Sequence, residues 1–487
     1  MRANLVGVLR DRARAGGWLH RPAYEGAGAV THAEVYAGAA RVAGGLRAGG
    51  VQAGDRVVLL LDDGPDFVSV FLGAATIGAV ATPVNPRLHP DELRAAVVLA
   101  DPALVVCRPA DLAALHGFPV PVLVGPPVGD PVDPVPCGLD VPAFALLTSG
   151  TTGAPRLCPH HHADPLVYHR AFGGPVLGLT PQDVVHSVSK MHFAYGLGNS
   201  LFYPLLSGCR AVLDAEPATP DDVLRILDEH GVTTLFSVPT FYARLLAHPR
   251  GDRLGALRLA VTAGEVLPPA LEERLVALLG DRLLNGIGTT EVGQAFTSNA
   301  PQGWRAGTVG RALPPYEVRV VDEAGAPVGP EVPGRLEVRG PTVTLGMRAD
   351  GSPQRTSGWS ATGDLATVDG AGYVRVSGRA DDVENVGGIK VHPVAVEHLL
   401  AAHPLVREAV VCAETSGGLL AYVVRGEGDE SDDDLTSALL AACRERLTAY
   451  KVPRTVVYVP ALPRTGSGKL RRHVVRTWES TGLAAPM

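Results

Sequence analysis

The sequence predicts an α/β protein in three parts: a large N-terminal domain of layered α/β sheets, a small β-rich subdomain, and a small α+β C-terminal domain. Three observations carry that expectation. From Leu5 to Val106, and again from Cys209 onward, short apolar runs alternate with stretches of helical spacing. After about Arg311 the helical stretches give way to alternating strands set off by Gly and Pro. Beyond "GRADD" (Gly378 to Asp382) a mixed α/β texture returns and lasts to the end.

Element by element, "THAEVYAGAARVAGGLRAGG" opens on a Thr with a Glu three residues later, the pattern of a capped helix start. "DRVVLLLDD" reads as a buried strand, "PDFVSVFLGAATIGAV" as a helix and "ALVVC" as another strand. Pro119 to Pro142 is rich in proline and reads as an extended connection into the strand "AFALL". "CRAVLDA", "DDVLRILDEHGV", "TTLFSV" and "LRLAVTAG" continue the β-then-α rhythm of largely parallel sheets. "YEVRVVD", "GRLEVRG" and "GYVRVSGR" alternate with period two, as half-buried strands do. The acidic tract Glu427 to Asp434 reads as a solvated loop ahead of the helix "LTSALLAACRERL", whose N-terminus favours negative charge. The expected limits are an N-terminal domain over 1–378 with its β-rich part at about 311–378, a short connection at 379–382, and a C-terminal domain over 383–487.

Composition narrows the class. The 487 residues are 46% hydrophobic and 19% charged, which excludes a disordered chain. A net charge of −7 without a long basic block argues against a nucleic-acid partner. The six cysteines are scattered with no C-x-x-C, as expected of reduced thiols packed as small apolar residues. The N-terminal stretch is basic and amphipathic without the apolar core of a signal peptide, and no run is long enough to span a membrane. A cytoplasmic protein is expected.

The chemistry begins at "LLTSGTTGAPRL", Leu146 to Leu157. Hydroxyls and glycines at this density suit a loop wrapped around phosphate oxygens; a surface hairpin using its glycines for turn geometry is the plainer alternative. The spacing G-x-x-x-x-G-K-[ST] is absent, which disfavours a kinase or ordinary NTPase. Four more segments follow in order: "GIGTTE", "SATGD", "GRADD" and "LPRTGSGKLRR". The five together resemble the adenylate-forming superfamily of acyl- and aryl-CoA ligases, peptide-synthetase adenylation domains and luciferases.

That resemblance implies roles for individual residues. Thr148, Ser149, Gly150, Thr151, Thr152, Gly153 and Arg156 would cradle the β- and γ-phosphates of ATP, with Arg156 standing where the family pattern has Lys. Thr290 would touch the α-phosphate and Glu291 would hold Mg2+, for which one or two carboxylates beside phosphate oxygens suffice. Gly264 and Glu265 of "TAGEVLP" belong with the nucleotide, and Asp364 would accept hydrogen bonds from the ribose hydroxyls. Arg379 would lie near the nucleotide, Asp381 would be the pivot of a hinge at 379–382 that makes the C-terminal domain, 383–487, a mobile lid, and Lys469 would enter the active site on a Gly-rich loop.

"KMHFAYGLGNS" further resembles the benzoate-CoA ligase branch. Lys190, Phe193, Ala194, Tyr195 and Gly196 would then border a flat apolar pocket with Ile287 and Gly288 opposite, a slot for an aromatic ring. Ordinary core aromatics, with "GLGN" a helix start, is the alternative. "NVGGIKV" implies a pantetheine path past Gly387 and Gly388, with Lys390 where related ligases carry an aromatic. "HHH" (His160 to His162) invites a metal reading, but consecutive residues on a helix point about 100° apart and cannot converge on one ion.

The resemblance therefore implies activation of an aryl carboxylate, benzoate or a substituted benzoate, by ATP and Mg2+ to aryl-AMP, followed by transfer to coenzyme A. Transfer to the phosphopantetheine of an acyl carrier protein is the alternative within the class. A non-catalytic nucleotide-binding homologue is the alternative outside it. A homodimer stays open.

Overall fold

The computed structural model describes residues 3–26, 28–148, 156–347, 353–386, 389–391, 393–414, 418–464 and 470–481. These form two compact units, each discontinuous in sequence. The first comprises Met1–Gly264, Arg274–Val318 and Glu337–Ser360, the second Glu265–Glu273, Arg319–Leu336 and Ala361–Met487.

The first unit contains two large sheets. One has nine strands in the order Arg311–Ala312, Ala295–Ser298, Leu283–Gly288, Leu259–Thr262, Thr234–Ser237, Val184–Ser187, Arg210–Val212, Pro22–Glu25, Val30–Thr31. Its six central strands are parallel, and antiparallel strands close both edges. The other sheet runs Val122–Val124, Leu104–Cys107, Arg56–Leu60, Val80–Pro83, Pro142–Thr148, Arg156–His161, parallel until the last antiparallel pair. Strands such as Leu104–Cys107 and Leu259–Thr262 are buried along their whole length, which is why they read as unbroken apolar runs.

Helix starts follow local sequence. His32–Ala48 begins at Thr31, whose hydroxyl and the Glu34 carboxylate form a reciprocal capping box, and Pro220–His230 does the same with Thr219 and Asp222. The Pro-rich connection runs as a strap over the first of these helices, donating from Gly129 to the Arg41 carbonyl and from Val132 to that of Ala40. Gly44 makes the crossing possible: a Cβ there would sit 1.9 Å from the Asp130 carbonyl oxygen. Phe71, Phe144 and Phe202 pack with centroids 5.2–5.9 Å apart and carry the core up to His160, whose ring stacks on Phe144 at 5.1 Å.

The second unit holds strands of the four-stranded sheet ordered Glu317–Val321, Gly334–Arg339, Ser360–Val368, Val374–Arg379. It also holds a three-stranded sheet of Val406–Ala413, Leu419–Arg425 and Thr455–Val459. Alternation along Leu419–Arg425 splits its core: Ala421 and Val423 pack with Leu435 and Leu439, while Tyr422 and Val424 pack with Val475 and Trp478.

Two local expectations are corrected. The acidic tract is not loop throughout: Asp432, Asp433 and Asp434 form the first turn of helix Asp432–Arg446, capped by Ser431, because three carboxylates offset the positive end of the helix. "HHH" lies at the end of a strand rather than on a helix, so His160 and His161 point to opposite faces. The six cysteines are free thiols, five of them buried. Among the described residues no helix is long and apolar enough to cross a membrane.

Replacing Gly44 by Ala should destabilise the protein even though Ala is the better helix former. Ala gains about 1 kcal/mol of helix propensity, but overpacking against a backbone carbonyl typically costs about 1–3 kcal/mol. Thermal unfolding of Gly44→Ala should show a midpoint several degrees lower; an unchanged or raised midpoint would mean the strap yields freely.

Candidate active site

The phosphate-loop segment is framed by a hairpin. Thr148 ends one strand, Arg156 begins the next, and the two are direct antiparallel partners, followed by Leu147 with Leu157 and Leu146 with Cys158. Ser149, Gly150, Thr151, Thr152 and Gly153 lie outside the described residues. The exposed Arg156 extends Nη2 to 3.6 Å from Glu291 Oε1. The Cys158 thiol on the same strand is pushed up to about 12, mainly by burial and then by the Glu291 charge.

Thr290 and Glu291 sit in the turn between strands Leu283–Gly288 and Ala295–Ser298. The ladder is irregular between Ile287 and Gly288, a feature that re-aims side chains at the end of a strand. Ile287 is half-buried and Gly288 exposed. Four successive carbonyls of the turn are held. Thr289 accepts from Gly293 N at 2.9 Å, Thr290 from His160 Nε2 at 2.8 Å, Glu291 from Thr344 N at 2.9 Å, and Val292 from Thr342 Oγ1 at 2.7 Å.

The aryl segment is a helix start. Phe193 has extended backbone, and Ala194 begins a run that passes from an α-turn through a π-helical segment, Gly198–Phe202, into Tyr203–Ser207. The helix thus begins two residues before "GLGN". Phe193, Ala194 and Tyr195 are half-buried; the Tyr195 hydroxyl donates to the Val261 carbonyl at 3.2 Å. Gly196 is buried where a Cβ would come within 2.1 Å of the Lys190 carbonyl, so in the fold it serves a close backbone approach. Lys190 Nζ donates to the Asp214 carbonyl at 2.5 Å.

Gln294 joins this segment to the acidic turn. Its Nε2 donates to the Ala194 carbonyl, and its Oε1 accepts from the Tyr203 hydroxyl at 3.1 Å. Gly264, exposed with φ +90°, follows the strand Leu259–Thr262; Glu265 opens the part of the chain grouped with the second unit.

In the second unit Asp364 and Arg379 are cross-strand partners. Arg379 Nη1 donates to the Thr362 carbonyl at 2.9 Å and to Asp364 Oδ1 at 3.2 Å. Gly363, at φ +78°, leaves the space this guanidinium fills: a Cβ would meet its Nη2 at 2.4 Å. Asp381 is exposed in the turn Ala380–Asp382, and its carbonyl accepts from Arg476 at 3.1 Å. Lys390 is placed on the short strand Ile389–Val391 opposite Asn385. Gly387, Gly388 and Lys469 lie outside the described residues.

A loop cation beside a half-exposed carboxylate suits a ligand that brings both phosphate and a divalent cation. Mg2+ takes most of its oxygens from phosphate and water, so Glu291 alone is a sufficient protein donor. The described residues include no cluster of three His, Cys, Asp or Glu. This is the chemistry of nucleotide-using enzymes.

The chain belongs to the AMP-binding enzymes: that family's model matches residues 11–347, and the model of the AMP-binding enzyme C-terminal domain matches residues 395–469. It is 41% identical to p-hydroxybenzoic acid–AMP ligase FadD22 of Mycobacterium tuberculosis, over 98% of this chain and 69% of that protein. It is 34% identical to the benzoate–CoA ligase of Thauera aromatica, over 93% and 91% of the two chains. The crystal structure of a benzoate CoA ligase from Burkholderia xenovorans superposes with a TM-score of 0.89 at 31% identity, covering 97% of this chain and 100% of that one.

Gln294 and Asp63 are absent from the motif reading, and His160 enters it only through the rejected metal reading of "HHH". Asp63, buried after the strand Arg56–Leu60, accepts from Met191 N at 2.9 and 3.2 Å and so fixes the entry to the aryl segment. Burial pushes its carboxyl up to about 7, against the opposing pull of Lys190. A carboxyl raised above its ordinary 3.8 stabilises the fold in its neutral form. That contribution is whole below about pH 4 and is lost as pH rises through about 7. Asp63→Asn keeps shape without the charge, so denaturation midpoints of wild type and variant should diverge between pH 4 and pH 8, the wild type losing more. Parallel pH profiles would refute the assignment.

Proposed function

We propose that the chain activates an aryl carboxylate with ATP, releasing pyrophosphate, and then passes the aryl group to the thiol of coenzyme A. The observation that carries this reading is the Gln294 link, which makes the Arg156–Glu291 charge pair and the Phe193–Tyr195 helix start parts of one framework. A carboxylate is a poor acyl donor because its oxygen does not leave. Attack of that oxygen on the α-phosphorus breaks the α–β phosphoanhydride bond and gives aryl-AMP. The thiol then attacks the carbonyl carbon, loses its proton, and AMP departs.

Charge accumulates around phosphorus in the first step, and placed donors lower that barrier. Arg156 takes the outer phosphates and Thr290 the α-phosphate. Asp364 accepts from the ribose, with Arg379 held against it. Lys469 bridges carboxylate and phosphate oxygens. Bound Mg2+, held by Glu291, would neutralise charge on the phosphate oxygens. Asp381 is the pivot on which the C-terminal domain turns between the two half-reactions. The setting is the cytoplasm.

A second acceptor has one observation in its favour: the relative at 41% identity is named for an AMP product. The phosphopantetheine of a carrier protein presents the same thiol arm as coenzyme A, and adding each to pre-formed aryl-AMP separates them.

In carboxylate-dependent ATP–pyrophosphate exchange, benzoate or a hydroxy- or aminobenzoate should exceed hexanoate by more than the roughly 10–200-fold that a single methylene provides. Equal turnover of benzoate and hexanoate would sink the aryl reading. Lys469→Ala should lower adenylate formation by about 10²–10³-fold, as loss of one transition-state donor commonly does, yet still convert supplied aryl-AMP to thioester. Equal loss of both half-reactions in a folded variant would show that Lys469 does not act in the first alone.

A further inference from the structure

Alternate residues of a strand share a face, so Arg156, Cys158 and His160 point the same way from strand Arg156–His161. That face meets the acidic turn. Arg156 Nη2 is 3.6 Å from Glu291 Oε1, and His160 Nε2 is 2.8 Å from the Thr290 carbonyl. A carbonyl only accepts, so Nε2 carries the hydrogen and donates. Of the four partners holding carbonyls 289 to 292, His160 is the one from the strand that begins at the phosphate-loop cation.

The imidazole is itself braced. Its Nδ1 lies 3.0 Å from the Tyr168 hydroxyl and 3.2 Å from Asp164 Oδ2. Asp164 Oδ2 also accepts from His161 N at 2.9 Å and pairs with the Arg355 guanidinium, which reaches the Pro341 carbonyl at 3.2 Å. His160, Asp164 and Tyr168 are all buried, so no water competes for these bonds.

We propose that His160 is a positioning residue for the acidic turn, setting Thr290 and Glu291 at fixed height above Arg156, with the Tyr168 hydroxyl, which donates to Nδ1, keeping its ring from turning. The proposal rests on the reading of Glu291 as the carboxylate that holds magnesium. A shift of about 1 Å in such a group lowers a rate by about 10²-fold, so a single buried hydrogen bond has leverage on the reaction out of proportion to its own strength.

The test uses the full chain and three variants. His160→Phe keeps a flat ring without the donor, His160→Gln keeps an N–H donor, and Glu291→Gln is the control. Binding of α,β-methylene-ATP is measured by calorimetry with and without MgCl2, alongside pyrophosphate exchange and a thermal midpoint. H160F should keep the metal-free affinity, lose most of the tightening that Mg2+ gives the wild type, and exchange about 10- to 100-fold more slowly. H160Q should recover most of both.

The proposal is overturned if H160F keeps the wild-type gain from Mg2+, if it loses affinity equally with and without metal, or if H160Q is no better than H160F. Should H160F not fold, His160→Asn, whose amide stops short of the Thr290 carbonyl, takes its place in the same comparison. Glu291→Gln distinguishes the two levels. If it leaves the Mg2+ gain intact, the reading of Glu291 fails and this inference with it. If it abolishes the gain while H160F does not, only the role of His160 fails.

Discussion

The site depends on two opposite charges that are close but not locked. Arg156 and Glu291 face each other at 3.6 Å with their side chains 52% and 30% exposed. In that much solvent an ion pair is worth about 0–1 kcal/mol, so the triphosphate and metal that the proposed function would bring here could part the two without a large penalty. What must not yield is the backbone beneath them. The strand ladder from Thr148 and Arg156 inward fixes one charge, and the four held carbonyls of residues 289 to 292 fix the other. Rigid carriers with exchangeable side chains are what a nucleotide site needs, because preorganisation places the groups while weak mutual pairing leaves them available.

The same logic extends to the aryl wall. Its helix start could have packed as an independent core element, but Gln294, at the end of the acidic turn, hydrogen-bonds to Ala194, and Asp63 holds Met191 at the segment's entry. The acidic turn and this helix start are thus joined by one side chain and, through Phe202, Phe144 and His160, by packed rings. The π-helical segment that follows adds a residue to a helical turn, a geometry often found beside functional sites.

Much of this was legible where the information is local. Thr31 with Glu34 spells its helix start in four letters, the buried parallel strands announce themselves as apolar runs, and the phosphate, ribose and acidic segments each fit within a dozen residues. The bonds that join those segments leave no such trace. His160 reaches Thr290 across 130 positions, Met191 reaches Asp63 across 128, and Gln294 reaches Ala194 across 100. No periodicity links residues that far apart. The triple histidine was misplaced for a related reason: its rotation was judged for a helix, whereas the pairing with Pro142–Thr148 makes it the end of a strand and sends His160 into the core.

The arginine at position 156 is the one departure from the phosphate-loop pattern, and its surroundings explain why the departure is tolerable. A lysine offers one compact charge that must choose between carboxylate and phosphate. A guanidinium presents several N–H groups in a plane, so one edge can remain near Glu291 while another receives a phosphate oxygen. Among the described residues, the ion pair of Arg156 is this long contact to Glu291. Arg379 presents the opposite case: its Nη1 is held by both the Thr362 carbonyl and Asp364, and Gly363 vacates the volume it occupies. One arginine makes a long, exposed contact, and the other is pinned against a carboxylate on the neighbouring strand. In each case the neighbouring residues, more than the arginine itself, decide which role it takes.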